Sequence, residues 1–310
     1  MPRRQVSPCD GSALDMIEQD QLRLSFPSPK PEQASLVWDG NQFVSEGGQV
    51  SSVLEYSENF VGWSDDLTLM HEEAVGDNHP IDIASRNNAL ESIRELNLKP
   101  RSRVLEIGCS SGFLLRGLVS EFKEFIIVGA DVVKEPLYKL AAEGMGVPLL
   151  RFDLLKCPLP EASFDVVVML NVLEHIGPDT EALEKLWRLL KPGGFLILEV
   201  PAGEDLYDPY DSQLCHFRRY SIRGLSTKLQ RAGFEIKRKS HLGFFIFPLF
   251  ALVKLKNRFF GVRQQDKVVE EQAQRTSGSK LLRWSLELET KMRRFNLPFG
   301  IRALIVARRP

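Results

Sequence analysis

The sequence predicts a doubly wound α/β domain whose parallel sheet is covered on both faces. Two observations carry the prediction. From residue 103 onward, short continuous apolar runs alternate with stretches of helical periodicity. Continuous apolar runs separated by helices mark strands buried on both sides, which is the signature of a parallel sheet. The ordinary globular composition of the 310 residues, 43% hydrophobic and 26% charged, allows one large domain with additions.

Taken in order, residues 1–35 are polar and interrupted by proline (SFPSPKPEQ), so little fixed structure is expected there. Residues 36–80 are expected to form an N-terminal hairpin and lid. Asp39-Gly40, with apolar residues on both sides, favours a tight hairpin turn because both can take positive φ. Ile83, Ala84, Ala89, Leu90, Ile93 and Leu96 predict a helix over 82–96 that Lys99-Pro100 ends. RVLEI, FIIVGAD, VPLLRFD, FDVVVML and GFLILEV then read as strands. Between and after them GFLLRGLVSEF, KEPLYKLAAEG, DTEALEKLWRLL and SIRGLSTKLQRAG read as helices, and FEIKRKS as a further strand. Ligands of such a domain bind beyond the carboxyl ends of the strands.

Charge is distributed unevenly. Residues 1–217 carry 18 Lys and Arg against 35 Asp and Glu, whereas residues 218–310 carry 22 against 6. The C-terminal part is therefore expected either to meet an anionic surface or to present a solvated basic face. Cys9, Cys109, Cys157 and Cys215 are scattered, with neither metal-ligand spacing nor a disulfide framework. No metal site is expected, and the cysteines fit a reducing, cytoplasmic compartment. The first residues lack an apolar core, so no secretory signal is visible. No apolar run reaches the roughly 18–20 residues that span a bilayer.

The chemistry concentrates where the first strand turns into a helix, in VLEIGCSSGFLLRGL. Gly108 and Gly112 permit a tight turn, and Glu106 closes the strand facing the crevice. Asp131 ends the second strand 23 positions after Gly108, a separation at which an acid can hold the ribose hydroxyls of an adenosine. The turn lacks the middle glycine of the pyrophosphate-binding fingerprint, which suits an adenosine ligand without a pyrophosphate.

Residues 103–201 resemble the class I S-adenosylmethionine-dependent methyltransferases, in particular their small-molecule branch. VLEIGCSSG is similar to the family's first motif and GADVV to its second. RFDLLKCPLPEASFDVVVMLNVLEHI is similar to the third and fourth, and LWRLLKPGGFLILEVP to the segment beyond. The resemblance implies a Rossmann-like, seven-stranded sheet with an antiparallel last strand, which GIRALIVARR supplies. The methyltransferase domain would then comprise 81–241 and 299–310, with 242–298 an insertion. It implies S-adenosyl-L-methionine as cofactor. Glu106, Gly108, Cys109 and Gly112 would cradle its methionine moiety, and Asp131 with Val132 the ribose. Asp153 with Leu154 would meet the adenine, and Asn171 would lie beside the sulfonium.

Two histidines are candidate catalytic residues. His175, in LEHI, either shapes the loop after the fourth strand or acts as a base. His216 lies in CHFRRYS, which resembles a segment of bacterial methyltransferases associated with polysaccharide and cell-envelope assembly. Arg218 and Arg219 either fix this loop or receive a phosphate or carboxylate of the acceptor. Tyr207 and Tyr210 either stack on a sugar ring or pack. Trp63 and His71 are candidates for a lid over the acceptor pocket.

LGFFIFPLFALV (242–253) is too short to span a membrane, is interrupted by Pro248, and lies between basic flanks. Leu281, Trp284, Leu288, Met292 and Phe295 form a second apolar stripe at helical spacing. Apolar wedges among basic residues have the composition of an interfacial anchor on an anionic membrane, while mutual packing or a homodimer contact is the alternative. The expected function is O-methylation of a saccharide or lipid-linked glycan, with the protein peripheral at the inner face of the cytoplasmic membrane. The alternatives are methylation of a quinone or lipid precursor, or a non-catalytic scaffold. No nucleic-acid partner is expected, because no separate binding module accompanies the basic residues.

Overall fold

A computed structural model describes residues 24–30, 34–48, 50–57, 79–260, 280–292 and 296–310, apart from the side chains of residues 258–260, 280 and 281. The first described elements form a small antiparallel sheet of β1 (Leu24–Phe26), β2 (Leu36–Trp38), β3 (Phe43–Val44) and β4 (Val50–Ser51), and β1 lies within the first 35 residues, where little fixed structure was expected. Asp39-Gly40 lies in the β2–β3 hairpin, but the loop is four residues long, since Trp38 pairs with Phe43. Only Gly40 takes positive φ, and the Asp39 carboxylate accepts the backbone N–H groups of Asn41 and Gln42. The turn is thus held by a side-chain bond rather than by two left-handed residues.

The main sheet has eight strands. β5 (Leu54–Glu55) precedes α1 (Pro80–Glu95), and β6 (Arg103–Ile107), α2 (Phe113–Glu121), β7 (Ile126–Asp131), α3 (Lys134–Ala142) and β8 (Leu149–Arg151) follow. Next come β9 (Phe164–Leu170), α4 (Asp179–Leu189), β10 (Leu190–Pro201), the short α5 (Pro209–Gln213), α6 (Ile222–Arg231) and β11 (Glu235–Leu242). After α7 (Phe247–Phe260) and α8 (Lys280–Lys291) the described elements end with β12 (Arg302–Arg308). The strand order is β11-β12-β10-β9-β6-β7-β8-β5, and β12 runs antiparallel to both its neighbours. The antiparallel last strand is therefore where the sequence placed it. β5, which pairs parallel to β8 through Leu54 and Glu55, adds a short eighth strand at the edge of the seven expected. Two residues are too few to show any periodicity, so this strand had no signal in the sequence.

Alternation along the strands sends Leu105, Val167 and Met169 to one face and Val104, Val166 and Val168 to the other. α4 and α6 cover the first face with Leu183, Leu186, Leu225 and Leu229, and α1, α2 and α3 cover the second with Ala89, Leu115 and Leu137. Both faces are dry, which is why the strands read as unbroken apolar runs.

Two details of the insertion depart from expectation. Pro248 does not break the apolar run; it stands in the first turn of α7, where a missing N–H leaves no intrahelical bond unmade. α8 buries Leu282, Ser285, Leu286 and Glu289, packing Leu282 and Leu286 against Ile81 and Ala84 of α1 and Leu242 of β11. The stripe through Trp284 and Leu288 is thus not its packed face, and Trp284 is 61% exposed. The side chain of Leu281, and Phe295 altogether, lie outside the described residues. No helix among the described residues is long and apolar enough to cross a membrane.

Candidate active site

β9, β6, β7 and β8 are parallel neighbours, so their carboxyl ends lie along one edge of the sheet, where a crevice for a ligand is expected. Glu106 in β6 is buried, and its Oε2 has no hydrogen-bond partner. Burial, reinforced by the neighbouring Asp131 charge, pushes the Glu106 carboxyl well above the usual range. A buried oxygen without a donor is costly unless a ligand completes it. Gly108 has φ of +81°, and a Cβ there would lie 2.2 Å from Cγ2 of Val172. The turn therefore needs glycine for its left-handed backbone and for its close approach to the loop after β9. Ser110 occupies the position of the missing middle glycine and still adopts a positive φ of +43°.

Asp131 ends β7 and braces this turn: one carboxylate oxygen accepts the Ser110 N–H at 2.7 Å, the other those of Val132 and Val133. Cys109 is buried, and burial first and the Asp131 charge second raise its thiol. Asp153, after β8, caps a single 3₁₀ turn over 154–156 by accepting the Leu155 N–H at 2.9 Å, and Leu154 is buried beside it. The Asp153 N–H donates to the Ser57 hydroxyl, which ties the N-terminal segment to this corner. Asn171, after β9, is left-handed at φ +53° and donates its side-chain amide to Glu199 at 3.2 Å. All nine residues singled out for the cofactor thus sit on or beside these strand ends.

A second polar cluster stands at the ends of β9 and β10. His175 and His216 meet edge to face with ring centroids 4.7 Å apart. His216 Nδ1 lies 2.9 Å from the Asp211 carboxylate, whose two oxygens also share the Nε–H of Arg219 and one of which accepts from the Lys254 ammonium at 2.9 Å. Burial alone would raise the Asp211 carboxyl, but the bonds from His216 and Arg219 and the charges of Arg219 and Lys254 outweigh it, so Asp211 is held ionised. Burial lowers the His216 imidazole against the pull of Asp211. Glu174 is fully buried, and burial pushes its carboxyl up to about 8.

The arginines of this loop serve the protein itself. Arg218 donates to the carbonyls of Ile176 and Gly177 and pairs with Asp179. Arg219 is buried on Asp211 and the Ala202 carbonyl. These contacts are those of side chains that fix the loop, the first of the two readings given for them. Tyr207 donates to the His216 carbonyl at 2.8 Å, and Tyr210 lies under the Lys254 ammonium at 5.0 Å; both pack the loop. Trp63 and His71 lie outside the described residues. Sequence reasoning missed Asp211, Lys254, Glu199 and Arg302. Arg302 of β12 joins Glu199 to Asp82 of α1, and no local motif marks any of the four.

A family model described as a methyltransferase domain matches residues 105–198. The chain is 30% identical over 174 residues to a protein of Mycolicibacterium smegmatis named "Probable S-adenosylmethionine-dependent methyltransferase", covering 56% of this chain and 63% of that one. It is 30% identical over 107 residues to a trans-aconitate 2-methyltransferase of Deinococcus radiodurans, covering 34% and 41%. The chain thus spans less than two thirds of the length of either curated relative. Among solved structures, one provisionally named a sarcosine dimethylglycine methyltransferase, from Galdieria sulphuraria, shares the fold with a TM-score of 0.54 at 15% identity, over 79% of this chain and 98% of that one. Fold and sequence match agree: residues 105–198 match a methyltransferase domain, and the sheet is of the kind found in class I S-adenosylmethionine-dependent methyltransferases.

Proposed function

We propose that the whole protein uses this domain to transfer a methyl group from S-adenosylmethionine to a hydroxyl of a saccharide carried on a lipid, at a membrane face. The observation that carries the methyl-transfer reading is the partnerless Oε2 of Glu106, buried beside Asp131 at the strand ends that the family match covers. Bound there, the cofactor supplies an electrophilic methyl group on a sulfonium. Glu106 would receive its ammonium group, Asp131 the ribose hydroxyls and Asp153 the adenine amino group, while Asn171 would border the reacting end. What the chain adds is alignment and exclusion of water around that methyl group.

His216, oriented by Asp211, supplies the polar group that the acceptor meets, because the loop carrying it borders the ends of β9 and β10. The membrane part of the reading draws on α7, whose polarity is inverted. Its inner face holds the buried Lys254 and the Asn257 amide on Asp208, while Leu249 and Leu252 are 68% and 65% exposed. An apolar outer face flanked by Lys256 suits a lipid interface better than open water.

The test has two parts. The purified wild type binds S-adenosylhomocysteine in a calorimeter, and Asp131→Ala reduces that binding at least about tenfold, the effect of losing one charge-assisted contact of about 1.5 kcal/mol or more. A wild type that does not bind defeats the enzyme reading. Cells lacking the gene are then compared by mass spectrometry of polar-lipid, quinone and envelope-glycan extracts. A glycan species lighter by one methylene unit supports the proposed acceptor; a loss confined to quinones overturns it.

A further inference from the structure

Glu174, His175 and His216 come together although 41 positions separate the adjacent pair from His216. One ligand-type atom from each lies within 4.8 Å of the others. The loops that carry them are tied by main-chain and side-chain bonds: the Phe217 N–H donates to the Glu174 carbonyl at 2.8 Å, and Arg218 donates to Gly177 O at 2.7 Å. The spacing of the three side chains is therefore set by the fold.

Glu174 is the anomaly. It is fully buried, and neither carboxylate oxygen has a hydrogen-bond partner. An ionised carboxylate needs donors or a cation, and a protonated one needs an acceptor for its O–H. The charges of Arg302 and Arg219 act on it, but neither is bonded to it. We propose that Glu174, His175 and His216 form a binding site for a divalent first-row transition-metal ion, of the zinc kind. Two imidazole nitrogens and one carboxylate oxygen are the donor set such ions take, and three protein ligands leave a coordination position open. His216 is already prepared: Nδ1 is bonded to Asp211, which leaves Nε2 as the ligand atom and supplies the carboxylate that orients metal-bound histidines. Scattered cysteines pointed away from a metal, but the candidate ligands are a carboxylate and two histidines on different loops.

The position left open would be the place for an acceptor hydroxyl. An acceptor hydroxyl oxygen bound there would be acidified by the ion and lose its proton to solvent before or as its oxygen meets the methyl carbon. That role rests on the methyl-transfer reading; the binding of the ion does not.

Cobalt(II) is titrated into the purified full-length protein in the absence of nucleoside and followed by its visible absorption, with zinc chloride and magnesium chloride compared by calorimetry. The wild type should bind one equivalent of cobalt or zinc and prefer both over magnesium. E174Q, H175Q and H216Q should each weaken cobalt binding about 10-fold to 100-fold or more, while H241Q, away from the cluster, should leave it unchanged. S-adenosylhomocysteine binding, measured on the same samples, reports the fold of each variant. Retained nucleoside binding with lost cobalt binding supports the site. A wild type without specific cobalt absorption, or E174Q and H216Q variants that bind cobalt as tightly as wild type, overturns it. Failure of nucleoside binding with cobalt binding intact would count against the methyl-transfer reading alone.

Discussion

At the scale of single residues, burial decides what each acid does. Glu106 and Asp131 both end strands in the crevice, yet Asp131 is occupied by three backbone N–H groups while one Glu106 oxygen has none. Burial and the Asp131 charge raise the Glu106 carboxyl, so below the raised value it carries a proton that a cationic ligand must displace. Affinity for S-adenosylhomocysteine should therefore rise with pH as the Glu106 carboxyl loses its proton. Glu106→Gln should weaken binding about 10-fold and flatten that slope, since it removes one charge-assisted contact; calorimetry at several pH values checks both. These acids were legible in the sequence because each closes an apolar run at a fixed place. Asp211 was not. It acquires its meaning from His216, Arg219 and Lys254, three partners that only the folded chain brings to one carboxylate.

Elements show the same contrast. The strands and helices around the sheet were read from their apolar runs, because burial on both faces leaves an unambiguous pattern. The insertion was misread in detail because its helices do not bury their most apolar stripe. α8 is fixed by Leu282 and Leu286 and by Glu289, which accepts the N–H groups of Gly243 and Phe245. α7 is held by polar contacts, chiefly Lys254 on Asp208 and Asp211. Lys254→Met leaves two buried carboxylates short of a cation, at a cost of about 3–5 kcal/mol as judged from broken buried pairs. The expected result is faster hydrogen exchange and proteolysis in residues 205–257, with the sheet strands keeping their protection. Asp179 does a similar task in α4, accepting Tyr220 and Lys228 and pairing with Arg218. Burial would raise its carboxyl, but Lys228, Arg218 and Tyr220 together hold it below the usual value. A depressed folded-state pKa gives stability that is present above the unfolded value and is lost as pH falls through the folded one. Asp179→Asn should therefore lower the urea midpoint at neutral pH and make the loss of stability on acidification shallower, with the two proteins converging in acid.

For the whole molecule, the uneven charge and the inverted helix bear on one question. The basic excess lies after residue 217, and the exposed apolar side chains Phe245, Leu249, Leu252, Trp284 and Phe299 belong to the same stretch. Much of the buried charge there is already paired internally, as with Arg219, Lys254 and Arg302, so the raw count overstates what a surface could attract. The apolar face should then be the larger contributor, at about 25 cal/mol for each Å² it removes from water, with surface cations adding about 1 kcal/mol each near an anionic leaflet. These contributions respond to different changes. Cosedimentation of the protein with vesicles of phosphatidylglycerol and phosphatidylcholine should show binding that weakens with salt without vanishing. Leu249→Ser together with Leu252→Ser should reduce partitioning at least about 10-fold even at low salt, as loss of two exposed leucines worth about 1.5 kcal/mol or more each predicts. Lys256→Ala should act mainly at low salt, where screening is weak. Nucleoside binding should be unchanged in both variants, because α7 is tethered from its opposite face. If the leucine variants bind vesicles as the wild type does, the outer face of α7 is not the lipid-contacting surface, and a membrane location for the acceptor loses its main support.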